Sequence, residues 1–235
     1  MGCSQCQGIE ILFNEREAIT KLQAYRKDGP PKATTILIEA MKGALAKAAV
    51  RRDGGEAAKL ERGTDGLTLL DIGGGVGAIE HELLRASADG AGVERAIDVE
   101  ASKAYMEAAQ EEAERQGHAD RVTYYHANFV DIAHQISPCT IVTLDRVICC
   151  YPDMQALVGQ SVAKAAMLYG LVYPRDTWWR RAATFAENLH MRIVGNPFRA
   201  YVHRTRAVHR LVLGDGLHQI FYKKSGLWQV VIYAR

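Results

Sequence analysis

The chain reads LLDIGGGVG over residues 69–77. Its first four residues have the largely apolar character of a short buried strand, and the glycines after them predict a tight turn that leads into a helix. Glycine is favoured where the backbone must adopt a positive φ or where a ligand must approach it closely. The stretch therefore predicts a strand, a ligand-binding turn and a helix, which is the first unit of an α/β sheet.

Strand-like and helical stretches alternate on the C-terminal side of this turn. The predicted strands are 67–72, 92–99, 122–126, 140–144 and 169–173, and the predicted helices between them are 76–86, 101–116 and 154–166. This alternation is typical of parallel strands joined by crossover helices. After a further helix at 207–213, two extended runs, 218–223 and 228–233, flank a short turn and predict an antiparallel hairpin.

These elements predict an α/β fold with a doubly wound, mostly parallel seven-stranded sheet, a C-terminal antiparallel hairpin and N-terminal helices. The N-terminal helices are predicted at 15–27 and 34–50, and the polar stretch 51–64 reads as a connector. We therefore divide the chain into an N-terminal helical cap or substrate region, 1–63, and a Rossmann-like domain, 64–235.

Composition excludes several classes of protein. The chain has 235 residues and a formal net charge of +2, which does not favour a nucleic-acid partner. It has no apolar run long enough for a membrane span and no signal-peptide pattern, so we expect a cytoplasmic protein without a membrane anchor. The five cysteines are expected to be reduced, and the single Cys3-x-x-Cys6 pair falls short of a closed zinc site, so no metal is expected.

The glycine turn fits two ligand-binding patterns. Asp71, Gly73, Gly75 and Gly77 match D-x-G-x-G-x-G, and in this the chain resembles the class I S-adenosylmethionine-dependent methyltransferases. Gly73, Gly75 and Ala78, with Asp98 further on, also satisfy the dinucleotide fingerprint. Asp71 favours the first pattern, because a carboxylate facing the ligand would attract a sulfonium and an ammonium but repel a pyrophosphate. The C-terminal hairpin favours it too.

The resemblance implies further contacts to S-adenosylmethionine at the next strand ends. Glu100, followed by Ala101 and Ser102, corresponds to the acid that binds the ribose hydroxyls. Asn128 and Phe129 stand where the family often has Asp-Phe against the adenine, and an amide oxygen can still accept from the adenine amine. Asp145, after the fourth strand, either faces the transferred methyl group or forms an ion pair with Arg146.

Three side chains are candidates for acid–base work on the methyl acceptor: Tyr151, His126 and His203. The segments 24–30 and 144–153 also resemble the tetrapyrrole O-methyltransferases, such as the magnesium-protoporphyrin enzyme. The class I resemblance implies methyl transfer to a small molecule, and we expect a monomer or a homodimer. The alternatives are an NAD(P)-dependent oxidoreductase and a non-catalytic member of the methyltransferase fold that binds the nucleoside product or a partner protein.

The stretch after the fifth strand is rich in arginine and predicts an amphipathic helix. Its arginines indicate either an anionic acceptor or a solvated basic face: Arg175, Arg180, Arg181, Arg192, Arg199, Arg204, Arg206 and Arg210. The apolar positions fall on one helical face: Trp178, Ala182, Phe185, Leu189 and Ile193. That face indicates either a helix packed on the sheet or a lid over the substrate.

Overall fold

The computed structural model describes residues 4–52, 66–89 and 92–235. Within these residues the strands are β1 (Thr68–Ile72), β2 (Arg95–Glu100), β3 (Val122–His126), β4 (Cys139–Asp145), β5 (Ala165–Pro174), β6 (His218–Ser225) and β7 (Trp228–Ala234). They form one seven-stranded sheet in the order β3-β2-β1-β4-β5-β7-β6. The first five strands run parallel, and β7 runs antiparallel to both β5 and β6. The predicted fold class is confirmed.

The helices of the described part are α1 (Ser4–Leu12), α2 (Glu15–Asp28), α3 (Lys32–Arg52), α4 (Ala78–Arg85), α5 (Lys103–Gln116), α6 (Phe129–Ile132), α7 (Met154–Val162), α8 (Trp178–Ile193) and α9 (Thr205–Gly214). Helices α3 and α4 cover one face of the sheet, with α2 and α5 packed beside them. Helices α6, α7 and α9 cover the other face. Because both faces are covered, the parallel strands are buried and largely apolar.

The strand order places a topological switch point next to the glycine turn. β1 lies between β2 and β4, so the connection after β1 and the connection after β4 leave the sheet in opposite directions. In open α/β sheets, ligands bind outside the carboxyl ends of the strands at such a switch point. Residues 73–77 lie there, directly after β1, as the sequence predicts.

Three features differ from the sequence-based expectations. The predicted helix 154–166 is wrong at its end, because α7 stops at Val162 and Ala165 already pairs with Cys139 as the first residue of β5. Helix α1 was not predicted. The predicted connector 51–64 is wrong at its start, because α3 continues to Arg52.

The rest of the connector, the proposed boundary between residues 63 and 64, and Cys3 lie outside the described residues. The division into two domains stays a prediction.

Helix α8 is amphipathic, as predicted, but its apolar face points to solvent, whereas a core helix buries that face. Trp178, Phe185 and Ile193 are 81%, 72% and 75% exposed, whereas Thr184 is buried. The interpretation of α8 as a helix packed on the sheet by its apolar face is therefore wrong.

No helix within residues 4–52, 66–89 and 92–235 combines the length and the apolar character that crossing a membrane requires.

Gly170 lets α3 pack closely against β5, and this contact gives a stability prediction. A Cβ on Gly170 would overlap Met41 Cε and lie 2.9 Å from Leu37 Cδ1, both on α3. We expect Gly170→Ala to lower the free energy of unfolding by about 1–3 kcal/mol, the usual cost of overpacking a core. Gly43→Ala, on the exposed side of α3 with open space around it, should instead raise that free energy by about 0.5–1 kcal/mol. Urea unfolding of both variants measures the contrast, and equal effects would contradict the packing described.

Candidate functional site

The glycine turn is held in a conformation that other residues adopt at a cost. Gly73, Gly75 and Gly77 have φ values of 65°, 64° and 75°, in the left-handed region. A Cβ on Gly77 would lie 2.5 Å from Glu80 Oε1, and one on Gly73 would lie 2.5 Å from Val147 Cγ2. The turn therefore depends on glycine for both backbone conformation and space, and it presents bare backbone at the carboxyl edge of the sheet.

Asp71 lies beneath this turn and is fully buried. Its Oδ1 accepts a 2.8 Å hydrogen bond from Thr143 Oγ1 on β4, and its Oδ2 has no hydrogen-bond partner among the described residues. Burial raises the pKa of Asp71 to about 7. The expectation that this carboxylate opens directly onto a ligand crevice is corrected: the group is enclosed, and its charge acts on the crevice through the protein.

Two further buried acids lie on the same face of the sheet. Asp98 stands opposite Asp71 in the register of β1 and β2, and Glu80 enters from the first turn of α4. Burial raises the pKa of both groups, and their mutual charges add to this. Tyr124 donates a 2.7 Å hydrogen bond to Glu80 Oε1. Asp98 has no well-formed hydrogen bond within the described part of the chain, and the nearby Gly74 amide only weakly favours its ionised form. The region under the turn is therefore acidic and short of hydrogen-bond donors.

Asp98 predicts how stability depends on pH. Its folded-state pKa lies above its unfolded value near 4, so the folded state binds the proton more tightly. The free energy of unfolding should therefore fall as the pH rises above about 4. Asp98→Asn removes this charge, and we expect it to be more stable than the wild type at about pH 8 by roughly 1–3 kcal/mol, with a smaller gain near pH 5. Thermal unfolding of the variant and the wild type at both pH values measures the difference in stability. A variant that is less stable than the wild type at the higher pH would mean that a partner holds ionised Asp98.

Glu100 joins the glycine turn to the end of β2. Its Oε2 accepts a 3.0 Å hydrogen bond from the Gly75 amide, and its Oε1 accepts one of 2.8 Å from the Ser102 amide. Burial raises the pKa of Glu100, and these backbone hydrogen bonds oppose the shift. Each carboxylate oxygen has a second lone pair, so the group could also accept from vicinal ribose hydroxyls.

The ends of β3 and β4 are linked by side chains that the sequence singles out. Asn128 Nδ2 donates a 3.2 Å hydrogen bond to Tyr151 Oη, which leaves the Asn128 oxygen as an acceptor. His203 Nε2 lies 2.9 Å from the carbonyl oxygen of Tyr151. Phe129 is buried in the core and begins α6. The structure thus brings Asn128, Tyr151 and His203 together.

His126 lies apart from that group. Its Nε2 is 2.9 Å from Glu10 Oε1 on α1 and 3.2 Å from the carbonyl oxygen of Ala101. His126 and Ala101 therefore connect the ends of β3 and β2 to the N-terminal helix. His203, by contrast, borders a surface hollow of about 460 Å³ that is also lined by Pro152, Asp153, Met154 and Gln155.

Asp145 forms an ion pair with Arg146, which is one of the two roles that the sequence suggested for it. Arg146 Nε lies 3.0 Å from Asp145 Oδ1, and Thr34 Oγ1 on α3 donates a 2.6 Å hydrogen bond to Asp145 Oδ2. Arg146 is the one non-glycine residue of the described chain with a positive φ, 63°. Such a conformation costs about 1–3 kcal/mol. The hydrogen bond that the Arg146 amide donates to the carbonyl oxygen of Val172 on β5 helps to hold this conformation.

Sequence reasoning missed the segments that cross over this edge of the sheet. Gln5 on α1 donates to the carbonyl oxygens of Cys150 and Arg199, and it accepts from the Arg199 amide. The Tyr201 amide donates to the carbonyl oxygen of Cys149. Helix α1 and residues 196–203 therefore lie together against the turn after β4. Gln5 and Arg199 are 194 residues apart, and no local pattern indicates their pairing.

Comparisons with known proteins bear on the fold of the chain. No protein-family model matches the chain, and no curated protein sequence matches it. Several solved structures, however, have a similar fold. Magnesium protoporphyrin IX methyltransferase from Synechocystis PCC 6803, solved with bound SAH, is 17% identical, with a TM-score of 0.60 over 98% of this chain and 99% of that one.

Two further structures extend the likeness. An O-methyltransferase family protein from Burkholderia thailandensis is 16% identical, with a TM-score of 0.58 over 97% of this chain and 71% of that one. Geranyl diphosphate C-methyltransferase from Streptomyces coelicolor A3(2) is 14% identical, with a TM-score of 0.55 over 79% of this chain and 76% of that one. The chain therefore has the fold of the class I S-adenosylmethionine-dependent methyltransferases.

Proposed function

We propose that this protein transfers a methyl group from S-adenosylmethionine to a small-molecule acceptor. The observation that carries the proposal is the acidic surrounding of the glycine turn, where Asp71, Glu80, Asp98 and Glu100 are all buried. Although burial raises their pKa values, these carboxyls attract the sulfonium and the ammonium of this donor once they are ionised, and a bound cation favours their ionised form. Ionised carboxyls repel the pyrophosphate of a dinucleotide. The methyltransferases of like fold that were solved with SAM or SAH support the same choice over an oxidoreductase.

The residues present fit this donor. The glycines leave the backbone of the turn without side chains, Glu100 can accept from the ribose, and Asn128 can accept from the adenine amine. When bound, the donor supplies a methyl group on a positively charged sulfur, already activated for transfer. The residues at the strand ends then have to hold the acceptor in line with that methyl group and exclude water.

His203 is the best placed of the three acid–base candidates. If its Nε2–H donates to the Tyr151 carbonyl oxygen, its Nδ1 is left as a base, and its ring borders the hollow beside Pro152. An acceptor hydroxyl that attacks the methyl carbon would pass its proton to that nitrogen. Tyr151 would orient the acceptor through its hydroxyl, and His126 is placed to hold α1 rather than the acceptor. We propose a cytoplasmic protein, monomer or homodimer.

The arginines after β5 bear on the charge of the acceptor. Arg180 pairs with Glu187 and Arg181 pairs with Asp176, whereas Arg192 has no ion-pair partner among the described residues. The Arg180 side chain is only 16% exposed and acts on the Cys149 thiol, whose pKa is lowered chiefly by a hydrogen bond with Cys150. An anionic acceptor near Arg180 would therefore meet a cation on the β4 side of the crevice.

Methyl transfer is tested with acceptors that differ in chemistry. The protein is incubated with S-adenosylmethionine and, in turn, magnesium protoporphyrin IX, apigenin or geranyl diphosphate, the molecules named with neighbouring structures. S-adenosylhomocysteine is measured by mass spectrometry. We expect its release above the acceptor-free rate with at least one of them, and a fall of about 10²–10⁴-fold in His203→Ala. Reduction of NAD⁺ in the same screen, with no release of S-adenosylhomocysteine, would favour the oxidoreductase instead.

A further inference from the structure

Helix α8 presents an apolar face to solvent. At about 100° per residue, Trp178, Phe185, Leu189 and Ile193 fall within an arc of roughly 80°. Leu189 is 49% exposed, and the other three are at least 72% exposed. Val194, just after the helix, is 58% exposed. A contiguous apolar surface of this kind on a folded protein marks an interaction site more often than chance.

The polar face of α8 holds the helix in place. Asn188 makes two 2.8 Å hydrogen bonds to the backbone of Ala200, one donated by its amide nitrogen and one accepted by its oxygen. Thr184, on the same side, is only 5% exposed. Because these contacts fix the helix, its apolar face is not required for the fold.

The apolar face also points away from the candidate site. Arg180 lies on the opposite side of the helix wheel and is only 16% exposed, and Asn188 holds the helix against residues 196–203, which lie at the turn after β4. In this arrangement α8 cannot cover the crevice with its tryptophan and phenylalanine. The lid interpretation of the apolar positions would require the helix to rotate by about half a turn, against the two hydrogen bonds of Asn188.

The charge around the apolar face identifies the kind of partner. Arg181 and Arg192 lie along one edge of it; Arg181 pairs with Asp176, and Arg192 has no ion-pair partner among the described residues. A second copy docked face to face with its helix antiparallel would bring Arg181 and Arg192 of the two copies together, which is unfavourable. An anionic surface would complement them. Large apolar side chains on one face, with arginine beside them, are typical of helices that lie in the headgroup layer of a membrane.

We propose that α8 docks the protein on an anionic lipid surface. Trp178, Phe185 and Ile193 enter the interfacial layer. Arg192 contacts lipid phosphate, and Arg181, which pairs with Asp176, lies beside it. The contact is peripheral and reversible, and it leaves the crevice at the other side of the helix accessible. The proposal does not depend on the methyl-transfer function, since it uses no residue of the glycine turn.

The test is flotation of the full chain with lipid vesicles. We expect binding to phosphatidylcholine vesicles that contain about 30% phosphatidylserine and little binding to pure phosphatidylcholine, with a loss of binding at high salt. The combined variant Trp178→Ser, Phe185→Ser and Ile193→Ser should bind about tenfold less, and Arg192→Glu several-fold less. Ile19→Ser, at an exposed position on α2, is the matched control and should bind as the wild type does.

Three results would overturn the proposal. They are equal binding to both kinds of vesicle, no binding to either, and binding that the combined variant retains. Sedimentation velocity of the same proteins gives an independent outcome: a dimer that the combined variant dissolves would assign the face to a second copy of the chain. Because the substituted side chains are exposed, thermal unfolding should be unchanged, and it serves to verify that each variant is folded.

Discussion

Replacing Glu100 by alanine should weaken the binding of S-adenosylmethionine by about a hundredfold or more. The side chain accepts hydrogen bonds from the Gly75 and Ser102 amides, and it is the group proposed to bind the ribose. Hydrogen bonds to a charged group contribute roughly 1.5–3 kcal/mol each, and a hundredfold change in affinity corresponds to about 2.7 kcal/mol. The variant loses both the proposed ribose contacts and the hydrogen bond from the Gly75 amide that holds the turn, and these losses together are enough to produce this effect.

Isothermal titration calorimetry of two variants separates the ribose contact from simple misfolding. Glu100→Gln keeps the shape of the side chain but replaces one acceptor oxygen by an amide that cannot face a backbone N–H, so we expect it to bind almost as poorly as Glu100→Ala. Glu107→Ala, an exposed acid on α5 paired with Lys103, is the control. Wild-type affinity in a folded Glu100→Ala protein would remove Glu100 from the donor site.

The affinity for S-adenosylmethionine should rise as the pH rises through about 7. Burial raises the pKa of Asp71 to about 7, so below this value the carboxyl is mostly neutral. A bound cation favours the ionised form, so binding releases a proton and tightens with increasing pH until Asp71 is ionised in the unbound protein as well. We expect an increase of up to about tenfold between roughly pH 6 and pH 8, and a plateau above that.

Asp71→Asn isolates this effect from the other buried acids. Glu80, Asp98 and Glu100 also have raised pKa values, and each can add to the pH dependence. The variant should bind S-adenosylmethionine with the weak affinity that the wild type shows at low pH, and the curve of affinity against pH should flatten. Titration in two buffers of different ionisation enthalpy counts the released protons. An unchanged pH profile in Asp71→Asn would show that Asp71 does not sense the ligand.

The fold could be predicted because its determinants are local. The strand and glycine turn at residues 69–77 define the first unit, the alternation after it defines the parallel sheet, and Gly226 lies in the turn of the hairpin. Glycines with positive φ are recognisable in a sequence because few other residues occupy such positions. The roles proposed for Glu100 and Asn128 rest on the same logic, since Glu100 directly follows one predicted strand and Asn128 lies two residues after the next.

The features that could not be predicted depend on contacts between distant residues. Periodicity identified the apolar face of α8, but it does not tell whether that face or the Asn188 face packs inward. The burial of Asp71 follows from the glycine turn and Thr143 closing over it, although the strand pattern only places the residue at a strand end. The positive φ of Arg146 has no sequence signal, because arginine rarely adopts this conformation.

The preference for a cationic sulfonium nucleoside over a dinucleotide is tested most directly by calorimetric titration of the wild-type protein at about pH 8, where Asp71 is ionised. S-adenosylmethionine, S-adenosylhomocysteine and NAD⁺ are titrated separately. The buried acids predict one site per chain that binds S-adenosylmethionine and S-adenosylhomocysteine. NAD⁺ should give no measurable heat of binding. Tight binding of NAD⁺ together with no binding of S-adenosylmethionine would contradict the proposed function and the role assigned to the acidic turn.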